Sequence, residues 1–354
     1  MISHETITGI LKNYDKENIT IGTIGSHSAL QILKGARDEG FKTLAICKNN
    51  RKFVYERFHS ADEIIGVSDY REILDDDFQN KLINKNLILV PHGSLVEYVG
   101  AKNIEEKFRV PLSGNRATLE WESDRNKEKK WFKEAGIKMP KEFKSPEEID
   151  RLVIVKFPGA RGGRGYFLVD HKVGFFKKIR SRGMEDEDYT IQEYITGTRF
   201  YPHYFYSPIT GEVELMSMDI RYESNVDGLA RTPHWAFKHY APEPSYTVTG
   251  NFPVVIRESL LHKVLEMGDN VVFASKKLFP PGMTGPFCIE AICTDDLKFI
   301  AFEVSARIVA GTNLYIEGSP YSQILYNEPM STGRRIAREI KIAIEKDMLN
   351  DVIY

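Results

Sequence analysis

Apolar residues in this chain fall into two arrangements, one on either side of a segment marked by Pro140 and Pro146. On the N-terminal side, a β-branched run at 19–24 leads into the turn Gly25-Ser26-His27-Ser28. Ala29, Leu30, Ile32 and Leu33 then recur at helical spacing, Gly40 stands where a C-cap belongs, and "FKTLAIC" reads as the next strand. Strand, helix and strand within about 30 residues make a βαβ unit, which predicts a parallel sheet with right-handed crossovers. "DEIIGV" and "NLILVPHGS" continue the pattern, so roughly the first 120 residues are expected to form a doubly wound α/β domain. From Trp121 to Gly136 a charged helix is expected, its lysines alternating with Asp and Glu on a solvated face.

Beyond the prolines the pattern favours strands. "LVIVKF", "GYFLVD", "TIQEYI", "RFYPHYFYS", "EVELMSMDIRY", "PFCIEAIC" and "KFIAFEVSA" are predicted strands, with helices at 256–278 and 333–349. This half reads as α+β with largely antiparallel pairing. No internal repeat or low-complexity tract interrupts it.

Composition adds mainly exclusions. The 354 residues are 42% hydrophobic and 28% charged, ample for a folded core. A net charge of −2, from 48 basic and 50 acidic residues, argues against a nucleic-acid coat or a polybasic membrane anchor. No apolar run approaches the roughly 18 residues that span a bilayer, and the first 20 residues show no signal-peptide core. Cys47, Cys288 and Cys293 suggest neither a disulfide framework nor a zinc site, so a reducing cytoplasm is the expected location.

The candidate chemistry begins with "VIVKFPGARGGRGYF", residues 153–167. Its glycines at 159, 162, 163 and 165 lack the Lys-Ser or Lys-Thr of a P-loop, and a strand follows where a dinucleotide fingerprint would open a helix. The loop therefore joins two strands. Its N–H groups can converge on an anion and close over it, or it is an ordinary hairpin turn. Lys156, set in an apolar strand, is costly to bury without an anionic partner and favours phosphate.

A pair of carboxylates adds to this. If "PFCIEAIC" and "DLKFIAFEVSAR" pair antiparallel about the turn at 294–296, Glu290 faces Glu303. Opposed like charges destabilise a hairpin unless a cation lies between them, and magnesium on ATP phosphates would serve. The alternatives are a slipped register with both side chains in water, or arginine partners. "QEYITGT" at 192–198 could present backbone to an adenine edge and a carboxylate to ribose.

Together these residues resemble the ATP-grasp fold: a strand lysine, a glycine-rich hairpin lid, a hinge at "IQEYI" and two late glutamates. More narrowly, "GSHSALQILKGA", "VPHGS", "ESDRNKEKKW", "HYFYSP", "RYESNVDG", "TGN", "GPFCIE" and "FEVSARIVAGTN" resemble the archaeal formate-dependent formaminoimidazole-carboxamide ribonucleotide (FAICAR) synthetases of the PurP type. The resemblance runs from about residue 19 to the C-terminus. It implies a Rossmann-like preATP-grasp domain at 1–122 and an ATP-grasp domain at 123–354, with a lid lobe at 140–200 and a metal-binding lobe at 201–354.

The resemblance also implies ATP-dependent joining of formate to the amine of aminoimidazole-carboxamide ribonucleotide (AICAR) through formyl phosphate. The products would be FAICAR, ADP and phosphate, late in purine synthesis. It gives His27, Ser94 and Asn251 to AICAR, with His27 and Arg307 as catalytic groups. ATP falls to Lys156, Gly159, Arg161, Gly162, Gly163, Arg164 and Gly165, to the hinge Gln192, Glu193, Tyr194 and Ile195, and to Glu223. Glu290 and Glu303 would hold Mg2+ or Mn2+, with Ser305 where many relatives of the wider fold carry a third ligand. A homo-oligomer, trimeric or hexameric, is also implied. The location of His27 and Ser94 agrees with the residues themselves, since both follow parallel strands where α/β sheets bind ligands. The segment 232–246 carries no assigned role. Two other readings stay open: an ATP-grasp ligase for another acid or amine, and a nucleotide-binding paralogue without turnover.

Overall fold

The computed structural model describes residues 2–157, 166–238 and 245–354. The glycine loop with Gly159, Arg161, Gly162, Gly163, Arg164 and Gly165 lies outside the described residues, as do 239–244 of the segment without an assigned role. Three sheets organise the rest. The first is parallel in the order β3-β2-β1-β4, built from β1 (Thr20–Ile24), β2 (Lys42–Lys48), β3 (Glu63–Val67) and β4 (Leu87–Leu89). Strands β1, β2 and β4 are buried on both faces, as the unbroken apolar runs require, while the edge strand β3 is half-buried.

A second sheet, in the order β5-β8-β6-β7, holds β5 (Glu142–Phe143), β6 (Val153–Lys156), β7 (Tyr166–Val169) and β8 (Thr190–Glu193). Strands β6 and β7 pair antiparallel, so the glycine-rich segment does connect two neighbouring strands.

The third sheet is antiparallel, in the order β11-β10-β9-β12-β13. Its members are β9 (Thr198–Tyr206), β10 (Val213–Asn225), β11 (Tyr246–Pro253), β12 (Gly285–Cys293) and β13 (Phe299–Ser305). Strand alternation divides its two faces chemically. Tyr204, Met218, Phe287, Ile289 and Ala291 pack into a core with Val264, Val271 and Val272 of the helix Leu261–Leu278. The opposite face carries Arg199, Tyr201 and His203 on β9, Asp219, Arg221 and Glu223 on β10, and Cys288 and Glu290 on β12.

The charged stretch at 121–136 departs from expectation in two ways. It is two helices, Ala117–Ser123 and Arg125–Glu134, because the Asp124 side chain accepts from the N–H groups of Asn126 and Lys127 and starts a new helix. Nor is it only a solvated face. Strand β13 is a sheet edge, and two glutamates from these helices satisfy its N–H groups. Glu128 accepts from Val304 at 2.6 Å, and Glu122 accepts from Ala306 just past the strand.

The predicted helix at 256–278 is a short 3-10 turn, Glu258–Leu260, followed by Leu261–Leu278. The one at 333–349 spans Thr332–Glu345 and gives way to a second, Leu349–Val352. Thr332–Glu345 lies against the helix Ala29–Asp38, where Glu39 takes Arg334 and Arg338, each at 2.7 Å. The parallel domain is thereby fastened to the third sheet.

Candidate active site

A cleft of about 670 Å³ opens where the three sheets meet, within the range of small-molecule sites. His27 lines it from the parallel sheet. Ile154, Lys156, Tyr166 and the hinge Gln192 to Ile195 line it from the second sheet, and Arg199, Arg221, Glu223, Glu290 and Glu303 from the third. Nine of the predicted site residues thus share one space.

At the histidine end, β1 delivers the chain into Ser26 and His27, and His27 takes φ 51°, a left-handed turn that precedes the helix Ala29–Asp38. Asn313 donates to the His27 carbonyl at 2.9 Å, and the His27 Nδ1 lies 2.9 Å from Ser28 Oγ. His92, two residues before Ser94 and fully buried, stacks on His27 with centroids 5.2 Å apart and planes 3° from parallel. Its Nε2 donates to the Ile24 carbonyl at 2.9 Å, while its Nδ1 accepts from the Ser94 N–H at 3.2 Å. These two bonds define a neutral tautomer. Burial holds His92 down to about 4, with the Arg307 cation adding to the effect. His27 is held well below its ordinary value by burial first, then by His92, Arg307 and Arg221.

Ser94 is buried and donates from Oγ to Ser26 Oγ at 3.0 Å, so it stands one residue behind His27 and does not itself line the cleft. Arg307 reaches the same corner over Gly93. A Cβ on Gly93 would stand 3.0 Å from His27 Nε2 and 3.2 Å from Arg307 Cζ. The Arg307 Nε donates to Glu122 at 3.2 Å, and the Glu122 side chain is 5% exposed.

At the carboxylate end, Glu290 stands opposite Glu303, the register expected from the sequence. Glu303 is exposed to the cleft, whereas Glu290 is buried and held by both Nη groups of Arg221. An arginine partner, one of the alternatives left open, is therefore present beside the opposed pair. Burial pushes Glu290 up to about 7; Arg221 pulls against that and Glu303 reinforces it. Glu128 is pushed well above the carboxylate range by burial and then by Glu303. So much carboxylate in a desolvated corner is stabilised by added positive charge.

Among the described residues no group of three or more His, Cys, Asp and Glu forms a complete metal cage. Two carboxylates completed by phosphate oxygens are a fitting donor set for a hard divalent cation, which binds through few protein ligands. Lys156 donates to Gln192 Oε1 at 2.8 Å, and burial lowers its pKa while Glu303 raises it. Glu223 pairs with Arg199, and Glu193 accepts from Arg151 at 2.9 Å. The hinge carboxylate is thus already engaged. Asn251 sits opposite Arg221 on β11 and donates to Asp219 at 2.6 Å; like Ser94, neither it nor Arg307 itself lines the cleft.

Sequence reasoning missed His92, Glu122, Glu128, Arg199, Arg221 and Asp219. Two signals were available. Arg221 and Asp219 share strand parity with Glu223, and His92 directly precedes the Gly-Ser of "PHGS". Glu122 and Glu128 lie in "ESDRNKEKKW", and Glu128 shares a helix face with Trp131 and Phe132, but the run of charges around them reads as a solvated face.

Comparison with known proteins places the chain in a family. Residues 176–354 match the family model described as "Domain of unknown function (DUF1297)", and 21–143 match "Protein of unknown function (DUF1246)". The chain is 51% identical over 360 residues to the 5-formaminoimidazole-4-carboxamide-1-(beta)-D-ribofuranosyl 5'-monophosphate synthetase of Methanocaldococcus jannaschii, covering 100% of both. It is 50% identical to the synthetase of the same name from Methanothermobacter thermautotrophicus, covering 99% of each. Among solved structures it is similar to the IMP biosynthesis protein PurP from Thermococcus kodakaraensis, with TM-score 0.76 and 33% identity over 94% of this chain and 100% of that one. An ADP complex of N5-carboxyaminoimidazole ribonucleotide synthetase shares the fold at TM-score 0.64 and 15% identity, over 91% of this chain and 76% of that one.

Proposed function

This chain belongs to the FAICAR synthetase family, and on that premise we propose that it joins formate to the amine of AICAR at the expense of ATP, in purine nucleotide synthesis. The observation that carries the reading is the shared cleft: His27 enters it from the parallel sheet and Lys156, Glu290 and Glu303 from the other two. An amine acceptor at the histidine end would therefore meet an acyl group activated at the carboxylate end.

Chemically, a formate oxygen attacks the γ-phosphorus, the bond to the β-phosphate oxygen breaks, and ADP leaves. The AICAR nitrogen then attacks the formyl carbon. Phosphate departs with the electrons of the C–O bond, and the nitrogen loses a proton. Phosphorylation is needed because a carboxylate oxygen is a poor leaving group.

Positioning supplies most of the protein's contribution to such a transfer. Lys156 stands beside the cleft wall to meet phosphate oxygens. Arg307, tethered through Nε, has its Nη groups available to an anion at the His27 corner. Neutral His27 can accept or donate a hydrogen bond there without competing for a phosphate as a fixed charge. A divalent cation held by Glu290 and Glu303 would neutralise charge on the phosphates. Among the described residues no helix is long and apolar enough to cross a membrane, and a cytoplasmic homo-oligomer completes the reading.

ADP release from ATP, with formate and AICAR supplied separately and together, tests the function. Release that needs both supports it, and release with another acid or amine alone overturns it. Oxygen-18 in formate tests the intermediate, because formyl phosphate passes one labelled oxygen to the released phosphate.

A further inference from the structure

Asp219 lies behind the site, 1% exposed, and no motif drew attention to it. Its two carboxylate oxygens are divided between two donors. Oδ1 accepts from His203 Nε2 at 2.7 Å and Oδ2 from Asn251 Nδ2 at 2.6 Å. Gly311 closes over it so tightly that a Cβ there would lie 2.2 Å from Oδ1. The carboxylate is therefore fixed in place, and a carboxylate accepts hydrogen bonds without donating them. Asn251 can meet it only with its NH2 group, which settles the orientation of the amide.

The same turn connects this arrangement to His27. Gly311 belongs to the 3-10 turn Ala310–Leu314, whose Thr312 accepts from Gln31 at 3.1 Å and whose Asn313 donates to the His27 carbonyl. Asn251 is only partly buried; it does not itself line the cleft but stands opposite Arg221, which does. With Nδ2 committed to Asp219, Asn251 has its carbonyl oxygen left to offer to a ligand.

We propose that Asp219 is a positioning residue that sets the hydrogen-bonding sense of Asn251, so that an acceptor beside Arg221, at the margin of the cleft, meets an N–H of the substrate, namely the AICAR amine. The inference rests on the function proposed above. An acceptor at that point favours a substrate with an amine over the same ribonucleotide without one, and it aligns the nitrogen lone pair away from Asn251. The selectivity would thus come from a residue that never touches the substrate.

Asp219→Asn is the informative variant. An amide at 219 can still accept from His203 and can donate to Asn251, but only after Asn251 turns over and offers NH2 to the substrate. No buried group loses a partner it has, His203 Nδ1 being already without one, so the fold is retained while the sense of the contact reverses. The measurements are KM values for AICAR and ATP, and the affinities of AICAR and of imidazole-4-carboxamide ribonucleotide, which lacks the amine.

The expected result is a KM for AICAR raised about tenfold, an unchanged KM for ATP, and a preference for AICAR over the desamino analogue that falls by a similar factor. Unchanged preference between the two nucleotides overturns the proposal, and so does an equal loss for ATP and AICAR. Should Asp219→Asn not fold, Asn251→Ala is read with the same two ligands, and retained preference there overturns it equally. Absence of AICAR-dependent turnover in the unmodified protein would instead defeat the proposed function, so the two failures are distinguishable.

Discussion

The two ends of the cleft are built on opposite principles. At the histidine end the protein supplies its own partners: His92 is bonded through both ring nitrogens, Ser94 is tied to Ser26, and the His27 carbonyl is held by Asn313. At the carboxylate end charges are crowded: Arg221 holds Glu290, which burial still pushes up to about 7, while Glu303 is open to the cleft and Lys156 is tied to a neutral glutamine. One end is organised before any ligand arrives. The other is completed by ligands that bring charge. Substitutions should therefore separate cleanly, with binding defects specific to the acceptor at one end and loss of chemistry at the other.

The largest effect is expected at the carboxylate end. Glu303→Gln removes a hard oxygen anion from an exposed position and should lower turnover about 1000-fold in ADP release assays. Its melting temperature should stay within a few degrees of the unmodified protein, as exposed substitutions usually do. A large loss of stability would mean that this end is organised like the other, and the contrast would fail.

The second prediction concerns pH and the histidine end. His92 has a folded pKa of about 4 against an ordinary 6.5, so between those values the unfolded chain binds the proton and the folded one does not. Stability is then complete above pH 6.5 and falls as the pH drops towards 4, by about 3 kcal/mol from this group. In His92→Gln the amide keeps one donor and one acceptor but does not titrate. Urea unfolding at pH 7 and pH 4.5 should show the deficit of the variant shrinking in acid. A constant difference would mean that His92 is not buried neutral.

The contrast also explains what the sequence could reveal. The carboxylate end was legible because its residues sit on strands whose register follows from alternation and a tight turn; Glu290 and Glu303 could be placed opposite each other before any coordinates. Lys156 stood out as a charge within an apolar run. The histidine end was legible only in part. His27 and Ser94 follow parallel strands, but the groups that hold them come from remote segments: Asn313 is 286 residues from His27, and Glu122 is 185 from Arg307. Short-range pattern cannot carry such pairings. The split of the helix at Asp124 was missed for a different reason, because a capping aspartate within a run of charges looks like any other acidic residue.

A smaller effect separates the ends by ligand. His27→Ala should weaken AICAR binding by a few tens of fold, since it removes a cleft-lining ring stacked on His92. Binding of an ATP analogue, followed by calorimetric titration, should hardly change. Parallel losses for the two ligands would show that the ends are coupled and not independently built.

The smallest effect is the most discriminating. Gly93 opens the helix Gly93–Val99, has no positive φ, and owes its place to the close approach of two side chains. In Gly93→Ala the added methyl meets His27 Nε2 at 3.0 Å, Arg307 Cζ at 3.2 Å and Nη2 at 3.3 Å. These atoms are the ends of side chains and can give way by a few tenths of an ångström, so the fold should tolerate the change. Alanine is also the better helix former by up to about 1 kcal/mol, which offsets the crowding in the stability balance. The cost should appear in ligand affinity, because the displaced imidazole and guanidinium are the groups that face the acceptor. We expect the KM for AICAR to rise about threefold to tenfold, with melting temperature and the KM for ATP unchanged. A stability loss with normal AICAR kinetics would assign Gly93 to packing alone and remove Arg307 and His27 from the acceptor contact.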